Sequence, residues 1–171
     1  MSFMTAVERA LGHEKAEMNF YLIEALRARN PMTRSIFNGL SKDEAEHMTR
    51  MMVLRDRLQD QGEWPDDVSV PISDANINAV FAQWFKQGKT SMPSNSTDIQ
   101  ALKQAVDFKA QGAKFYLRLS EASENPMENS FFRLMAGIER SYQLSLTDSL
   151  AYLEDPDEWM MQHERRVLDG A

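Results

Sequence analysis

The chain contains no cysteine. That absence excludes disulfides, thiolate zinc sites and iron–sulfur centres within it, so any metal must be held by histidine and carboxylate. Positive charge is also in short supply: 19 Lys and Arg face 26 Asp and Glu, giving a net charge of −7 and a pI near 5.0. Such a balance argues against nucleic acid and against an anionic membrane surface as partners. No apolar run approaches the roughly 18 residues of a membrane span. The stretch from Met1 to Arg9 has neither the basic nor the apolar region of a signal peptide, so a cytoplasmic protein is expected. What remains is ordinary for a soluble globular domain: 171 residues, 43% hydrophobic and 26% charged, enough for one domain with a real core.

Apolar residues recur at helical spacing in four long runs. The first opens near Thr5, with Glu8 three residues on as a capping-box partner, and carries Ala6, Ala10, Leu11, Met18, Tyr21, Leu22, Ala25 and Leu26. Asn30-Pro31 starts the second, since Asn is a good N-cap and Pro is favoured at the first helical position; it stops near Gly62. Residues 62–97 break the pattern with Pro65, Pro71 and Pro93. Within them Ile77, Val80, Phe81, Trp84 and Phe85 predict one short amphipathic helix near 74–87, whose stripe must be covered by the bundle or by a second subunit. A third helix opens at Thr97 with Gln100 and reaches about Glu124. Asn125-Pro126 repeats the start signal for a fourth, which ends at Asp155-Pro156, and a short helix over 157–164 follows.

Glu44 and His47 stand three apart on the second helix. Three residues turn about 300° and rise about 4.5 Å, so both side chains leave one face and can grip one metal ion. By itself Glu-x-x-His is common and mostly solvated. An internal repeat adds weight. Shifted by 95 residues, the first helix pair lies on the second without a gap: Phe20-Tyr21-Leu22 on Phe115-Tyr116-Leu117, Asn30-Pro31-Met32 on Asn125-Pro126-Met127, Ser35 and Phe37 on Ser130 and Phe132, and Glu44 on Glu139. Nine of the 34 pairs between 14–47 and 109–142 are identical, where average composition gives about two. A duplicated hairpin with a long crossover predicts an all-α, ferritin-like four-helix bundle with short extra helices. Its single domain comprises hairpin 1 (about 3–61), the crossover (62–97), hairpin 2 (about 98–154) and a C-terminal tail (155–171). Bundles of this topology build di-metal sites from one Glu on each of two helices and a Glu-x-x-His pair on each of the others. The first half supplies Glu14, Glu44 and His47. The equivalent positions of the second half are Lys109, Glu139 and Tyr142.

On these residues the chain resembles the rubrerythrin-like branch of the ferritin-like superfamily. The likeness rests on Glu14 six before Phe20-Tyr21, on Phe37-x-x-Leu40-Ser41-x-x-Glu44-x-x-His47, on Phe115-Tyr116 and Phe132-x-x-Met135-Ala136-x-x-Glu139, and on the tail Asp155-Pro156-Asp157-Glu158-Trp159. The resemblance implies a carboxylate-bridged di-iron centre that reduces peroxide or activates dioxygen with electrons from an external donor. Glu14, Glu44, His47 and Glu139 match its ligand positions; Lys109 and Tyr142 do not, and without cysteine there is no rubredoxin module. In the family geometry both losses strike the second metal. Three carboxylates against one ammonium leave −2, which one divalent ion neutralises. The expectation is therefore a single divalent ion, iron ahead of manganese or zinc, in a degenerate site of a homodimeric oxidoreductase, with no catalytic residue assigned. The alternative is a non-enzymatic helical scaffold with a dead site, its partner surface built from the 74–87 helix and the Trp159 tail.

Blander roles are expected for the neighbours. Tyr142 fills the space of a histidine and donates one hydrogen bond, and Tyr21 and Tyr116 belong to the core. The 12 methionines are core filler. His13 points about 100° from Glu14, toward the surface. His163 is structural or exposed. Glu17 and Glu46 are solvated, unless either swings inward as an extra ligand.

Overall fold

The computed structural model describes residues 3–65 and 95–168. Five helices are present among them: α1 (Phe3–Arg27), α2 (Pro31–Gln61), α3 (Ser96–Glu121), α4 (Pro126–Glu154) and α5 (Pro156–Leu168). α1 packs along α2 and α3 along α4, so two hairpins form a four-helix bundle, and α5 folds back on α4. The fold expected from the repeat is the one observed. The predicted helix at 74–87 and its apolar stripe lie outside the described residues, as does the side chain of His163. No helix among the described residues is long and apolar enough to cross a membrane.

The hairpin turns are set by their caps. Asn30 Oδ1 accepts from the Met32 and Thr33 amides, and Asn125 Oδ1 from those of Met127 and Glu128, with Pro31 and Pro126 at the first helical position. At the end of α2, Gly62 adopts φ 74°, a left-handed value that glycine reaches without the steric penalty of a Cβ, and donates its amide to Leu58. Two starts differ from expectation. Thr5 lies inside α1, and α3 is capped by Asn95, whose side chain accepts from Asp98. Asp98 is thereby placed to receive the amides of Arg29 (3.2 Å) and Asn30 (2.6 Å), which ties the start of α3 to the first hairpin's turn. At the other end, Trp159 Nε1 donates to Asp148 at 2.9 Å and fastens α5 to α4.

The repeat is visible in the packing. Tyr21 stacks on Phe37 at 6.1 Å and 20°, and their mates Tyr116 and Phe132 stack at 6.2 Å and 21°. All four are fully buried, and each such side chain contributes roughly 1.5–3 kcal/mol of transfer free energy. Leu22 and Leu26, expected in the α1 stripe, are instead exposed, Leu26 by 87%. The buried face of α1 runs through Val7, Ala10, Glu14, Glu17, Tyr21 and Ala25, and one residue of offset rotates a side chain by about 100° off it. Leu117, the mate of Leu22, is exposed in the same way.

Candidate metal centre

Halfway along the bundle the apolar core gives way to charge. Glu14 and Glu17 enter from α1, Glu44 and His47 from α2, Lys109 from α3 and Glu139 from α4, and all six are buried. Lys109 is the hub. Its ammonium donates to Glu17 Oε2 at 2.5 Å, Glu44 Oε1 at 2.6 Å and Glu139 Oε1 at 2.8 Å. A buried ammonium is costly unless paired and hydrogen-bonded, and here three donors meet three carboxylates from three helices. Burial pushes the Lys109 pKa down, but Glu139, Glu17 and Glu44 outweigh it and hold the group well above its ordinary value.

Each of those carboxylates has a second oxygen, and these point to two sides of the lysine. On one side Glu14, Glu44 and His47 form a fully buried triad whose ligand atoms lie within 4.8 Å of one another. His47 Nδ1 is 3.0 Å from Glu14 Oε2 and 3.1 Å from Glu44 Oε2. Burial disfavours the imidazolium, yet the hydrogen bonds and charges of Glu14 and Glu44 raise its pKa to about 10. Glu14 is pushed up to about 7 by burial and by the charge of Glu44. Glu44 is held below the usual carboxylate range, because Lys109 and the bonds from His47 and Glu14 overcome the penalty of burial. The free oxygen of Glu14 accepts a short hydrogen bond from Tyr116, which fixes the carboxylate's orientation. The nitrogen and two carboxylate oxygens, converging around a position now shared by a proton, suit a divalent ion.

On the other side, His13, Glu17 and Glu139 make a second triad within the same 4.8 Å spread. His13 Nε2, Glu17 Oε1 and Glu139 Oε2 have no hydrogen-bond partner among the described residues. Burial raises the Glu139 carboxyl well above its ordinary range despite the opposing charge of Lys109.

Of the four expected ligands, three are thus brought together, and Glu139 is linked to them through the Lys109 ammonium that it shares with Glu44. Tyr142 is buried, and its hydroxyl donates to Asp43 Oδ2 at 3.0 Å. Tyr116 lies in the core as expected but also serves the cluster. Its mate Tyr21 faces Lys109 with its ring, 5.6 Å from the ammonium, and its hydroxyl has no hydrogen-bond partner among the described residues. Where Tyr116 has Glu14 to accept its proton, Tyr21 has a lysine, which only donates.

Two expectations are overturned. Glu17 is not solvated but buried and bonded to Lys109, while Glu46 remains exposed and pairs with Arg50. His13 does not simply face solvent: its side chain is only 20% exposed, and its ring packs 4.7 Å from Phe115. The signal for both was local. Glu17 is three residues from Glu14 and His13 four from Glu17, so each shares a face with the other's neighbour. The cluster therefore holds four buried carboxyl groups rather than the three expected. The chain matches no protein-family model, no curated protein and no solved structure.

Proposed function

We propose that this chain is a rubrerythrin-like metal-binding protein that holds one divalent ion between Glu14, Glu44 and His47, and that it acts as an oxidoreductase toward peroxide or dioxygen. The observation that carries the reading is His47 Nδ1 set between two buried carboxylate oxygens at 3.0 and 3.1 Å. Glu139, the fourth residue of the expected set, takes part through Lys109, holding the ammonium opposite Glu44. Iron bound there would supply one-electron chemistry and a position for a small oxidant, manganese could replace it, and zinc would allow no redox step.

The protein's own residues have defined tasks in this reading. Tyr116 orients Glu14 through a hydrogen bond, so the donor set is organised before any ion arrives. Loading releases the protons that Glu14 and His47 carry. Lys109 keeps Glu44 ionised through its hydrogen bond and charge. Glu14, Glu44 and His47 are buried, so an ion held there would be shielded from bulk solvent. Electrons would come from an external donor, and a homodimer is the assembly we assign.

A second reading draws on Lys109 itself. Its ammonium already pairs three carboxylates, as a dead site in a helical scaffold would require. Metal analysis of protein purified without added ions, followed by peroxide consumption with an added reductant, separates the two. The proposal predicts a bound ion that His47→Ala loses, and turnover that is lost with it. Protein that neither holds metal nor consumes peroxide would leave the scaffold.

A further inference from the structure

We propose that His13, Glu17 and Glu139 form a second divalent-cation site on the far side of Lys109, reached from solvent past His13. It does not depend on the ion assigned to Glu14, Glu44 and His47.

Three observations carry it. First, the three facing atoms, His13 Nε2, Glu17 Oε1 and Glu139 Oε2, are buried and lack hydrogen-bond partners among the described residues. Glu17 and Glu139 are 1% and 0% exposed, and each already uses its other oxygen on Lys109. His13 Nε2 lies 3.3 Å from Glu17 Oε1 without forming a hydrogen bond. A cation would satisfy all three at once.

Second, α3 leaves room for the group. A Cβ on Gly112 would lie 2.2 Å from Glu139 Oε2 and 2.9 Å from His13 Nε2. Glycine inside a helix is unfavourable, and here it is the residue that lets a carboxylate and an imidazole converge. Gly112 is the repeat mate of Glu17, so one of the two residues that α1 contributes to the site has a counterpart on α3 with no side chain.

Third, the site is open at one ligand: the His13 side chain is 20% exposed, whereas Glu17 and Glu139 are buried.

One imidazole nitrogen and two carboxylates suit a first-row divalent ion such as Zn²⁺, Mn²⁺ or Fe²⁺ better than Ca²⁺ or Mg²⁺, which favour oxygen alone. The site takes two residues from α1 and one from α4, and uses neither position 109 nor 142. It is thus not the repeat image of the Glu14–Glu44–His47 triad.

The test is a Zn²⁺ titration of chelator-stripped protein, with bound zinc counted by mass spectrometry after desalting and folding checked by circular dichroism. Wild type should hold two ions, the second at least tenfold weaker. His13→Ala removes a ligand at a partly exposed position, and Gly112→Ala keeps every ligand residue but pushes Glu139 and His13 out of the space they share. Each should bind one ion, and His47→Ala should keep the outer one. A wild-type count of one that His13→Ala leaves unchanged would overturn the second site while leaving the inner one standing. A single ion removed by His13→Ala but kept by His47→Ala would support it and overturn the inner one. Two ions retained in both His13→Ala and Gly112→Ala would also overturn the proposal.

Discussion

The two hairpins share a frame and differ in what they put at its centre. Tyr21 on Phe37 and Tyr116 on Phe132 stack with nearly the same separation and tilt, and Asn30 and Asn125 cap their helices through the same acceptor. Seven residues or fewer from these matched positions, Glu14 is answered by Lys109 and Glu17 by Gly112; farther along, His47 is answered by Tyr142. Packing holds the frame, because an apolar pair must interdigitate to keep its burial energy. The charged positions are free to diverge as long as the cluster is paired. Lys109 shows how: one ammonium replaces a carboxylate and at once ties three others together. The second hairpin contributes Lys109 and Glu139 to the cluster, and the first contributes His13 and Glu17 besides Glu14, Glu44 and His47.

The strongest way to break this comparison is to remove the hub. Lys109→Met leaves Glu17, Glu44 and Glu139 without their shared donor. Loss of one partner from a buried charge cluster costs about 3–5 kcal/mol, and urea unfolding of the chelated protein should show a drop of that size. A midpoint unchanged from wild type would mean that the carboxylates are simply protonated. The opposite change restores symmetry. Lys109→Glu with Tyr142→His should make folding depend on metal, with Zn²⁺ raising the thermal midpoint more than it does in wild type, and Tyr21 would regain an acceptor. No such gain would mean that the second hairpin has repacked around its losses.

Titration sharpens the contrast next. Glu14 has a folded pKa of about 7 against an ordinary 4.5, so its contribution to stability is present below 4.5 and lost as pH rises toward 7. His47 has a folded pKa of about 10 against 6.5, so its contribution is full below 6.5 and lost as pH climbs through 10. The urea midpoint of chelated protein should therefore fall between pH 5 and 7, and again toward 10. Metal should act in reverse and stabilise more at pH 8 than at pH 6, because binding must displace those same protons.

A smaller test uses the mated tyrosines. Tyr116→Phe removes the donor to Glu14 and should weaken the inner ion by about 10–100-fold, the usual effect of losing a residue that orients a ligand. Tyr21→Phe deletes a hydroxyl with no hydrogen-bond partner among the described residues and should be neutral within about 0.5 kcal/mol. Equal effects in the two variants would dissolve the distinction between the halves. Away from the cluster, Asn125→Ala should cost about 1 kcal/mol in thermal unfolding, as loss of an N-cap does.

The fold was legible because its signals are periodic and duplicated. Asn-Pro starts, Gly62 and the 95-residue shift each point to the same hairpins. The triad of Glu14, Glu44 and His47 was legible for the same reason, since a spacing of three on α2 and a register match on α1 place them on facing surfaces. His13 was not legible as part of the centre, and Glu17 only as the alternative in which it swings inward, because a charged residue next to a polar one on a helix is usually solvated and the outcome turns on one helical step. The position of Glu139 across Lys109 depends on a three-way contact between helices that no spacing along the chain records. Leu22 and Leu26 show the same limit from the apolar side: a hydrophobic residue at helical spacing can still sit one step outside the buried face.

The central claim is that His47, Glu14 and Glu44 hold a divalent ion. An anomalous-scattering map from crystals of the wild-type protein loaded with Mn²⁺ or Zn²⁺ tests it most directly. The account predicts a peak bounded by His47 Nδ1, Glu14 Oε2 and Glu44 Oε2, with Lys109 still bonded to the far oxygen of Glu44. A map with no peak between those atoms, and His47 still bonded to both carboxylates, would contradict it.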